Sequence, residues 1–462
     1  MFKSRTAIEE AEQHEKMGLS QKLGVLLIAS ASAVATGYVP SYINLYYTDT
    51  VGISMASVGL ILMITKITDG ITDIIMGMII DRTFTKLGKA RPWVLAGGFG
   101  LTLSLVLLFN CPEGLSETEK VFFCAAFYFL VNPIFGTMIS VACGTLINLV
   151  TPDSKNRGIL GVFSAYGTLI PVALIGLVVP RVLSVMNESQ QAYTVVTLIF
   201  AAIALLSSVV GVVCLKETVT ERSEKNITKK QPVSDSLKIL VHNKYFVLLA
   251  VGTILYNLSA APVATYYAKY VFKDVGVATI MNLPSLLLIF ILPLAVPVIE
   301  KIGKRYCIVG GLLSGVVAGI ILFISNENLI IFMIGRFISG IGIVPFVVAL
   351  IPLTGEICDY ALYTSGKPME GTISSAATMG GKIGIGLAAG LSGVMLALSG
   401  YISSAADITV NQPESAVFMI RFLAGVYPAI MFGLSSICFW KIDMNKINIK
   451  GIQNELKEKG LR

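Results

Sequence analysis

The sequence has few charged side chains for its length. Asp, Glu, Lys and Arg make up 14% of the 462 residues, whereas 55% are hydrophobic and the mean hydropathy is +0.78. A water-soluble protein carries about 25% charged residues. Because the apolar residues also stand in long blocks, as membrane crossing requires, the composition excludes an ordinary soluble protein and predicts an all-α membrane protein.

Histidine is scarce, and cysteine forms no motif. The two histidines, His14 and His242, lie in polar segments, which excludes a proton relay through a histidine inside the membrane. The seven cysteines form neither a C-x-x-C pair nor a cluster with histidine, so we predict no disulfide framework and no zinc site. With no nucleophile–base pair either, the sequence predicts that the protein is not an enzyme.

Twelve apolar segments are each long enough to cross about 30 Å of hydrocarbon at about 1.5 Å per residue. Their approximate limits are 23–47, 53–80, 93–111, 121–147, 159–182, 194–215, 244–272, 277–299, 306–324, 329–352, 374–399 and 417–440. The longest polar interruption divides them into two sets of six. We therefore expect an N-terminal arm (1–22), a six-helix bundle (23–215), a central loop (216–243), a second six-helix bundle (244–440) and a tail (441–462).

Lysine and arginine are distributed unevenly between the two sides of these spans. One side holds only Lys120, Arg181, Lys269 and Lys273, and the spans themselves hold Lys66, Arg336, Lys382 and Arg421. The other 27 of the 35 Lys and Arg residues fall on the side of both termini. The positive-inside rule then predicts a multi-pass protein of the cell (inner) membrane with cytoplasmic termini. It also explains the net charge of +7 without a nucleic-acid partner.

Two loops at equivalent places in the two sets of six resemble each other. The loop after the second span reads DRTFTKLGKARPWVLAGG (81–98), and the loop after the eighth reads EKIGKRYCIVGG (300–311). Each puts Gly-Lys and an arginine just before a glycine-bearing helix. The repeat predicts two pseudo-symmetric six-helix bundles, which is the major facilitator architecture.

The second predicted span contains KITDGITDIIMG (66–77), which carries three charges. Lys66, Asp69 and Asp73 stand at i, i+3 and i+7 and so share one helix face. The stripe either packs against a neighbouring helix as a neutralised group or marks an ion path, which is the usual role of charges inside a membrane. Because one lysine cannot neutralise two aspartates, the second interpretation predicts a site for Na⁺, held by oxygen ligands, or for H⁺.

Two other spans offer partners for this stripe. Thr137 in the fourth span either supplies a hydroxyl to the same cavity or hydrogen-bonds its own helix. Lys382 in the eleventh span either reaches back to the membrane surface or, as we expect from its depth, faces the central cavity. The glycines around it permit close helix packing; they are Gly381, Gly386, Gly390 and Gly393.

Charges near the cytoplasmic ends of the spans suggest an inner gate. Asp81, Arg82, Lys89 and Arg91 follow the second span, and Lys304 and Arg305 follow the eighth. We expect these loops to make charge contacts that hold an outward-open state, although the positive-inside rule alone would also place basic residues there. Glu356 and Asp359, at the end of the tenth span, are either a gate pair or surface charges.

The motifs as a whole identify a family resemblance. DGITDIIMGMIIDRTFTKLGKARPWVL (69–95) and GEICDYALYTSGKPMEGTISSAATMGGKIG (355–384) closely resemble the glycoside–pentoside–hexuronide:cation symporter family, and YYTDTVGIS (46–54) and TPDSKNR (151–157) also fit it. The resemblance implies that Asp69 and Asp73 form a coupling-cation site to which Thr137 contributes. It also implies that Lys382 lies where the cation and solute sites meet. The family often has Asn where this chain has Thr72, whose hydroxyl is a further candidate ligand.

The residues that bind the sugar in this family are replaced in this chain. Galactoside-transporting members carry acidic residues on spans 1 and 4 and an arginine on span 5, where this chain has Ala33, Ser140 and Ala165. Small side chains cannot replace a bidentate carboxylate or guanidinium. The candidate substitutes, together with Lys66 and Lys382, are Tyr38, Tyr42, Asn44, Asn132, Ser140, Tyr256 and Asn257.

The resemblance implies a secondary active symporter that couples entry of Na⁺ or H⁺ to uptake of a sugar, glycoside, pentoside or uronide by alternating access. The altered grip leaves a non-sugar polar or anionic solute as an alternative. A ligand sensor that does not transport is a second alternative, but the sequence shows only a short central loop and tail for signalling. We expect no cofactor other than the coupling ion, a small-molecule solute and the lipid bilayer as partners, and function as a monomer.

Overall fold

The computed structural model describes residues 17–151, 154–217, 242–365, 370–403 and 411–458, whose regular structure is helical. The first half contains α1 (Leu19–Val51), α2 (Met55–Asp81), α3 (Arg91–Leu108), α4 (Glu117–Val150), α5 (Ser154–Val185) and α6 (Gln190–Cys214). The second half contains α7 (Lys244–Leu258), α8 (Val277–Ile302), α9 (Lys304–Ser325), α10 (Leu329–Ser365), α11 (Glu370–Leu398) and α12 (Glu414–Trp440). A short tail helix, α13 (Ile449–Glu458), follows.

Nine helices of the described residues are long and apolar enough to cross a membrane. They belong to α1, α3, α4, α5, α6, α9, α10, α11 and α12. The other three of the twelve helices are not among these nine. They are α2, which carries the charged stripe, α7, which has 15 residues, and α8, which has 26 residues. The protein is therefore a multi-pass membrane protein, built as the sequence predicts from two sets of six helices.

Two predicted spans differ from the structure. The seventh was expected to run without a break over 244–272, but α7 ends at Leu258 and helix resumes only with Ala264–Tyr266 and Tyr267–Val271. Pro262 lies in this break, and a proline cannot donate the backbone hydrogen bond that a continuous helix needs. The tenth was expected to end at 352, but α10 continues to Ser365, and Glu356 in this extension pairs with Lys304.

The packing of the helices repeats between the halves. In the first half, α3 packs against α4 and α6, and α1 packs against α5 and α6. In the second half, α9 packs against α10 and α12, and α7 packs against α11 and α12. The two main helix pairs that join the halves, α2 with α11 and α5 with α8, are also equivalent when helix n is matched to helix n+6. This is the pseudo-two-fold relation of the major facilitator fold.

The repeated Gly-Lys motif has the same geometry in both halves. Gly88 and Gly303 both have positive φ, +110° and +95°, a conformation in which glycine avoids the strain of a side chain. Arg91 then donates to the Leu215 carbonyl at the end of α6, at 3.0 Å. Arg305 donates to the Trp440 carbonyl at the end of α12. Each arginine thus ties the third helix of its half to the sixth.

Glycines allow α2 and α11 to meet backbone to backbone. A Cβ atom built on Gly393 would lie 2.8 Å from the Cα of Gly59 and 2.9 Å from the carbonyl oxygen of Met55. Gly386 and Gly390 likewise lie directly against the Met63 turn of α2. The close packing that the sequence predicts for these three glycines is confirmed, and it is what brings α11 to the charged stripe.

A Gly393→Ala substitution is expected to lower the melting temperature, because the added methyl group must push α2 and α11 apart. Gly144→Ala, on α4, is the matched control, since a Cβ there meets no atom within 4 Å. Alanine favours a helix over glycine by about 1 kcal/mol, so the control should keep or raise the melting temperature. Thermal unfolding of both variants in detergent checks this; equal melting temperatures would contradict the close crossing.

Candidate functional site

Three helices bring the charged stripe and its predicted partners together. Thr137 Oγ1 lies 2.9 Å from Asp69 Oδ1 and 3.1 Å from Asp73 Oδ1. From the other half of the molecule, Lys382 Nζ lies 3.2 Å from Asp69 Oδ2 and 2.5 Å from Asp73 Oδ2. Lys66 Nζ is 3.4 Å from Asp69 Oδ2. The cluster therefore joins α2, α4 and α11 across the boundary between the halves.

Local structure explains how each side chain reaches the cluster. The helical spacing of α2 points Asp69 and Asp73 to one side. On α4, the segment Leu130–Gly136 forms a widened, π-helical turn that contains Pro133 and ends just before Thr137. Such turns are frequent at functional sites. On α11, the glycine crossing described above holds the helix close enough for Lys382 to span the boundary.

The charges of the cluster balance, which corrects one step of the sequence argument. In the sequence, Lys66 alone stands beside two aspartates, which predicts a spare negative charge. In the structure Lys382 supplies the second positive charge. The side chains of Asp69 and Asp73 are only 10% and 25% exposed, so both carboxylates need this compensation. The Lys382 ammonium group lies between the two carboxylates.

The oxygen atoms of the cluster suit a small cation. Asp69, Asp73 and Thr137 offer two carboxylates and one hydroxyl, which are ligands of the kind that Na⁺ takes. Two carboxylates this close can also share a proton, since ionising both is unfavourable without a counter-charge. The same atoms therefore fit Na⁺ or H⁺, provided that Lys382 gives up its place.

A cavity of about 520 Å³ opens beside the cluster. It is lined by side chains of both halves, including Lys66, Asp69, Asp73, Thr137, Ser140 and Lys382. The buried Nδ2 of Asn132, also on this wall, has no hydrogen-bond partner within the described part of the chain. A buried amide without a partner is costly, so this group is available to a ligand.

Two further cavities extend the space into the second half. One, of about 320 Å³, is lined by side chains of the second half only; the other, of about 400 Å³, lies between the halves. They share Ala264, Met281, Asn282 and Arg336, and Pro262 links the second of them to the cavity at the cluster. In the sequence, Arg336 is one of four charges inside the predicted spans, and no role was predicted for it. A lone arginine in an apolar helix was the signal.

The predicted solute residues divide into two groups. Tyr42, Asn132, Ser140, Tyr256 and Asn257 line the cavities. Two others point elsewhere: the Tyr38 hydroxyl bonds Thr197 inside the first half at 2.9 Å, and Asn44 donates to the Pro262 carbonyl. Thr72, which was predicted as a further cation ligand, donates its hydroxyl to the Asp69 carbonyl of its own helix. Ala33 and Ala165 are absent from the walls of these cavities.

One end of the molecule is closed by a network that sequence reasoning missed. Asp49, at the end of α1, forms an ion pair of 2.7 Å with Lys269 from the second half, and Lys269 pairs at 2.7 Å with Glu188 of the first half. Tyr401 donates to Asp49 at 2.6 Å, and Tyr270 also donates to it. We call these five residues the Asp49 network. In the sequence, this network could have been suspected from Asp49, an isolated aspartate at the end of an apolar span.

The predicted inner-gate residues lie at the opposite end and bind within their own halves. Arg91 pairs with Glu217, Glu356 with Lys304, and Asp359 accepts from Gln453 of the tail helix at 2.7 Å. Glu356 and Asp359 are therefore not a pair with each other. Arg82 is exposed, and the side chain of Asp81 lies outside the described residues. A contact between halves through these residues in another state stays a prediction.

Closure of the Asp49 network is expected to depend on pH through Glu188, which lies between α5 and α6. Burial raises the pKa of its carboxyl group above the usual 4.5, although Lys269 opposes the shift. Opening would hydrate Glu188 and return its pKa to the usual value. The closed state thus binds more protons, so this group favours closure as the pH falls and ceases to do so as the pH rises through its raised pKa.

Spin labels at Glu113 and Glu327, exposed residues of opposite halves at this end, measure the effect. The distance between them should shorten on acidification. Glu188→Gln should remove that part of the pH dependence, because glutamine does not titrate. A variant that responds to pH as the parent does would contradict this assignment.

Comparison with known proteins adds independent information. Residues 24–446 match a family model described as MFS/sugar transport protein. The chain is 27% identical to the isoprimeverose transporter of Lactiplantibacillus pentosus, over 92% of this chain and 89% of that protein. It is 25% identical to the glucuronide carrier protein homolog of Escherichia coli (strain K12), over 89% of each. The crystal structure of a D-xylose-proton symporter superposes with a TM-score of 0.65 at 16% identity, over 92% of this chain and 96% of that one.

Proposed function

Because the chain belongs to the MFS/sugar transport protein family, we propose that it is a secondary active symporter that couples the entry of a cation to the uptake of a sugar-type solute. It is a transporter and not an enzyme. The observation that carries the proposal is the cluster of Asp69, Asp73, Thr137 and Lys382, which joins the two halves beside the central cavity. The coupling ion, Na⁺ or H⁺, binds at Asp69 and Asp73.

The charge balance of the cluster suggests how coupling arises. With no ion bound, Lys382 neutralises Asp73, so the empty protein carries no unpaired charge in the cluster. An entering cation displaces the Lys382 ammonium group and leaves it without a partner. A solute that accepts hydrogen bonds from this group gives it a partner again. The protein with only the ion bound then changes unfavourably between its outward-facing and inward-facing states, whereas the protein with both ion and solute bound changes favourably. The ion and the solute raise each other's affinity by the same factor.

The direction of the cycle follows from the predicted topology. With cytoplasmic termini, the Asp49 network lies on the outer face, and its closure corresponds to an inward-facing state. Opening this network and closing the opposite end by rocking of the halves would expose the cluster outward. In that state the loops of Arg91 and Arg305 are the candidates for inner contacts between the halves. We propose that one copy in the cell membrane, surrounded by lipid, is sufficient for this cycle.

The solute is proposed to be a sugar, glycoside, pentoside or uronide. Two relatives support this class, since one is an isoprimeverose transporter and one a glucuronide carrier homolog. The walls of the cavities support it too, because Asn132, Tyr42 and Tyr256 present polar atoms that hydroxyl groups can bind. These side chains supply the hydrogen bonds to the sugar that Ala33 and Ala165 cannot make.

Accumulation of radiolabelled solute in vesicles containing the purified protein tests the proposal. The panel comprises glycosides, pentoses and uronates, and each is offered with an inward Na⁺ gradient, an inward proton gradient or neither. Accumulation that requires one gradient supports symport and names the ion. Equal uptake with and without a gradient would make the protein a facilitator. No uptake of any sugar would overturn the proposed solute class.

A further inference from the structure

We propose that Arg336 binds an anionic group of the solute, so that the protein selects acid sugars such as uronates over their neutral counterparts. This inference rests on the proposed function and refines it. Arg336 lies on α10, seven residues after the helix begins at Leu329, or about 10 Å along its axis. A charge at such a depth in an apolar helix is expensive unless something compensates it.

Of the four cations within the predicted spans, three have compensation among the described residues, and Arg336 does not. Lys66 and Lys382 pair with Asp69. Arg421 of α12 donates to the Phe323 carbonyl at 2.9 Å and lies over the Phe323 ring. For the Arg336 guanidinium, no hydrogen-bond acceptor or acidic partner occurs among the described residues, and it faces two cavities. The missing partner can therefore come from a ligand.

The groups around Arg336 suit the rest of a sugar. Asn282 uses its Nδ2 to bond the Gly176 carbonyl at 3.3 Å, and Asn257 uses its Nδ2 to bond Thr253 at 2.9 Å. The amide oxygen of each remains for a solute hydroxyl. Tyr256 and Ser339 add hydroxyl groups on the same walls. A cationic anchor beside several neutral hydrogen-bonding groups is the arrangement that an acid sugar needs.

Charge balance across the cavities gives the second argument. With no coupling ion bound, the two aspartates and two lysines of the cluster cancel, and Arg336 adds one positive charge that faces the solute space. A bound cation raises this positive charge further. Arg336 is exposed to the cavities, so a neutral sugar would displace water from the guanidinium group without supplying a counter-charge, whereas a uronate supplies one. A guanidinium group also matches a carboxylate with two parallel hydrogen bonds. Specificity then comes from the cost of leaving Arg336 without a partner.

Matched pairs of solutes test the inference on the unmodified protein. Binding of D-glucuronate is compared with D-glucose, D-galacturonate with D-galactose, and methyl β-D-glucuronide with methyl β-D-glucoside, by isothermal titration calorimetry at neutral pH. We expect at least one acid to bind about 10- to 100-fold more tightly than its neutral partner. Equal or weaker binding of the acid in every pair would overturn the inference.

Substitutions locate the effect at Arg336. Arg336→Gln should remove the preference for the acid, and Arg336→Lys should retain part of it. Arg421→Gln removes the same charge from a helix but outside the cavities, so it should leave the preference unchanged. In each variant, stabilisation by Na⁺ or by acidification reports an intact cation cluster. An acid preference that survives Arg336→Gln would overturn the assignment.

The two proposals fail in different ways. If gradient-driven uptake occurs but neutral sugars are taken up as well as acids, symport stands and the role of Arg336 is wrong. If acid sugars bind in an Arg336-dependent way but no gradient drives their uptake, the anion site stands and coupled transport is wrong. If no member of any pair binds, the role of Arg336 is wrong, and the uptake panel decides the proposed function separately.

Discussion

An Asp73→Asn variant is expected to lose cation-driven accumulation by about 100-fold or more. Asparagine keeps the shape of the side chain but removes the negative charge that balances Lys382 or the bound cation. Truncating one partner of a buried, hydrogen-bonded charge pair costs about 2–5 kcal/mol. Lys382 then pairs with Asp69 alone. An entering cation has only this one carboxylate to bind, so displacing Lys382 costs more than in the parent. Coupling fails, although the solute cavity itself is unchanged.

The measurement is solute uptake by vesicles at increasing Na⁺ concentration and at two pH values. Asp359→Asn is the matched control, because Asp359 is a buried aspartate that accepts a hydrogen bond from Gln453 of the tail helix, away from the cluster. The control should keep the cation dependence of the parent. If Asp73→Asn still accumulates solute under an ion gradient, then Asp73 is not part of the cation site.

A Lys382→Gln variant is expected to be unstable without cations and to be rescued by them. Removing the ammonium group leaves two carboxylates close together without their main counter-charge. Breaking a buried pair in this way costs about 3–5 kcal/mol, somewhat less here because Lys382 is 22% exposed. Na⁺ or a proton can then enter the vacated position without displacing a side chain. The variant should therefore gain more thermal stability from the coupling ion than the parent does.

Melting temperatures measured in Na⁺-free buffer, in Na⁺ and at lowered pH decide the outcome. Lys66→Gln serves as the control, because Lys66 lies 3.4 Å from Asp69 only and its loss should have a smaller effect. Rescue by Na⁺ at unchanged pH favours Na⁺ as the coupling ion, whereas rescue by acid without rescue by Na⁺ favours H⁺. A variant as stable as the parent without cations would show that Lys382 does not act as the internal counter-charge.

Much of the cation cluster could be predicted from the sequence, because it depends on local periodicity. The spacing of Asp69 and Asp73 on one helix fixes their common face. Their contact with Lys382 could not be derived in the same way, since it joins residues 309 positions apart and depends on the glycine crossing. The contact of Lys382 with the cluster was predicted from the family resemblance and not from helical periodicity.

The solute side was less predictable for physical reasons. Tyr38 and Tyr42 are four residues apart and their rings are neighbours, but the Tyr38 hydroxyl turns to Thr197 while Tyr42 lines a cavity. Helical spacing does not decide which of two adjacent directions faces a cavity. Arg336 and Asp49 are visible in the sequence as isolated charges. Their roles depend on whether the fold places an ionic partner beside each of them, which the sequence does not show.

The backbone crossing of Gly59 and Gly393 has a kinetic consequence. Where helices interlock through large side chains, changing their angle requires many rotamers to rearrange together, and each rearrangement adds to the activation barrier. At Gly59 and Gly393 no side chain stands between the helices, so α2 and α11 can change their crossing angle with little repacking. In the proposed cycle the slow steps are then the breaking of ionic contacts at Asp49 and Lys382. Ion and solute occupancy, through these contacts, would set the turnover rate.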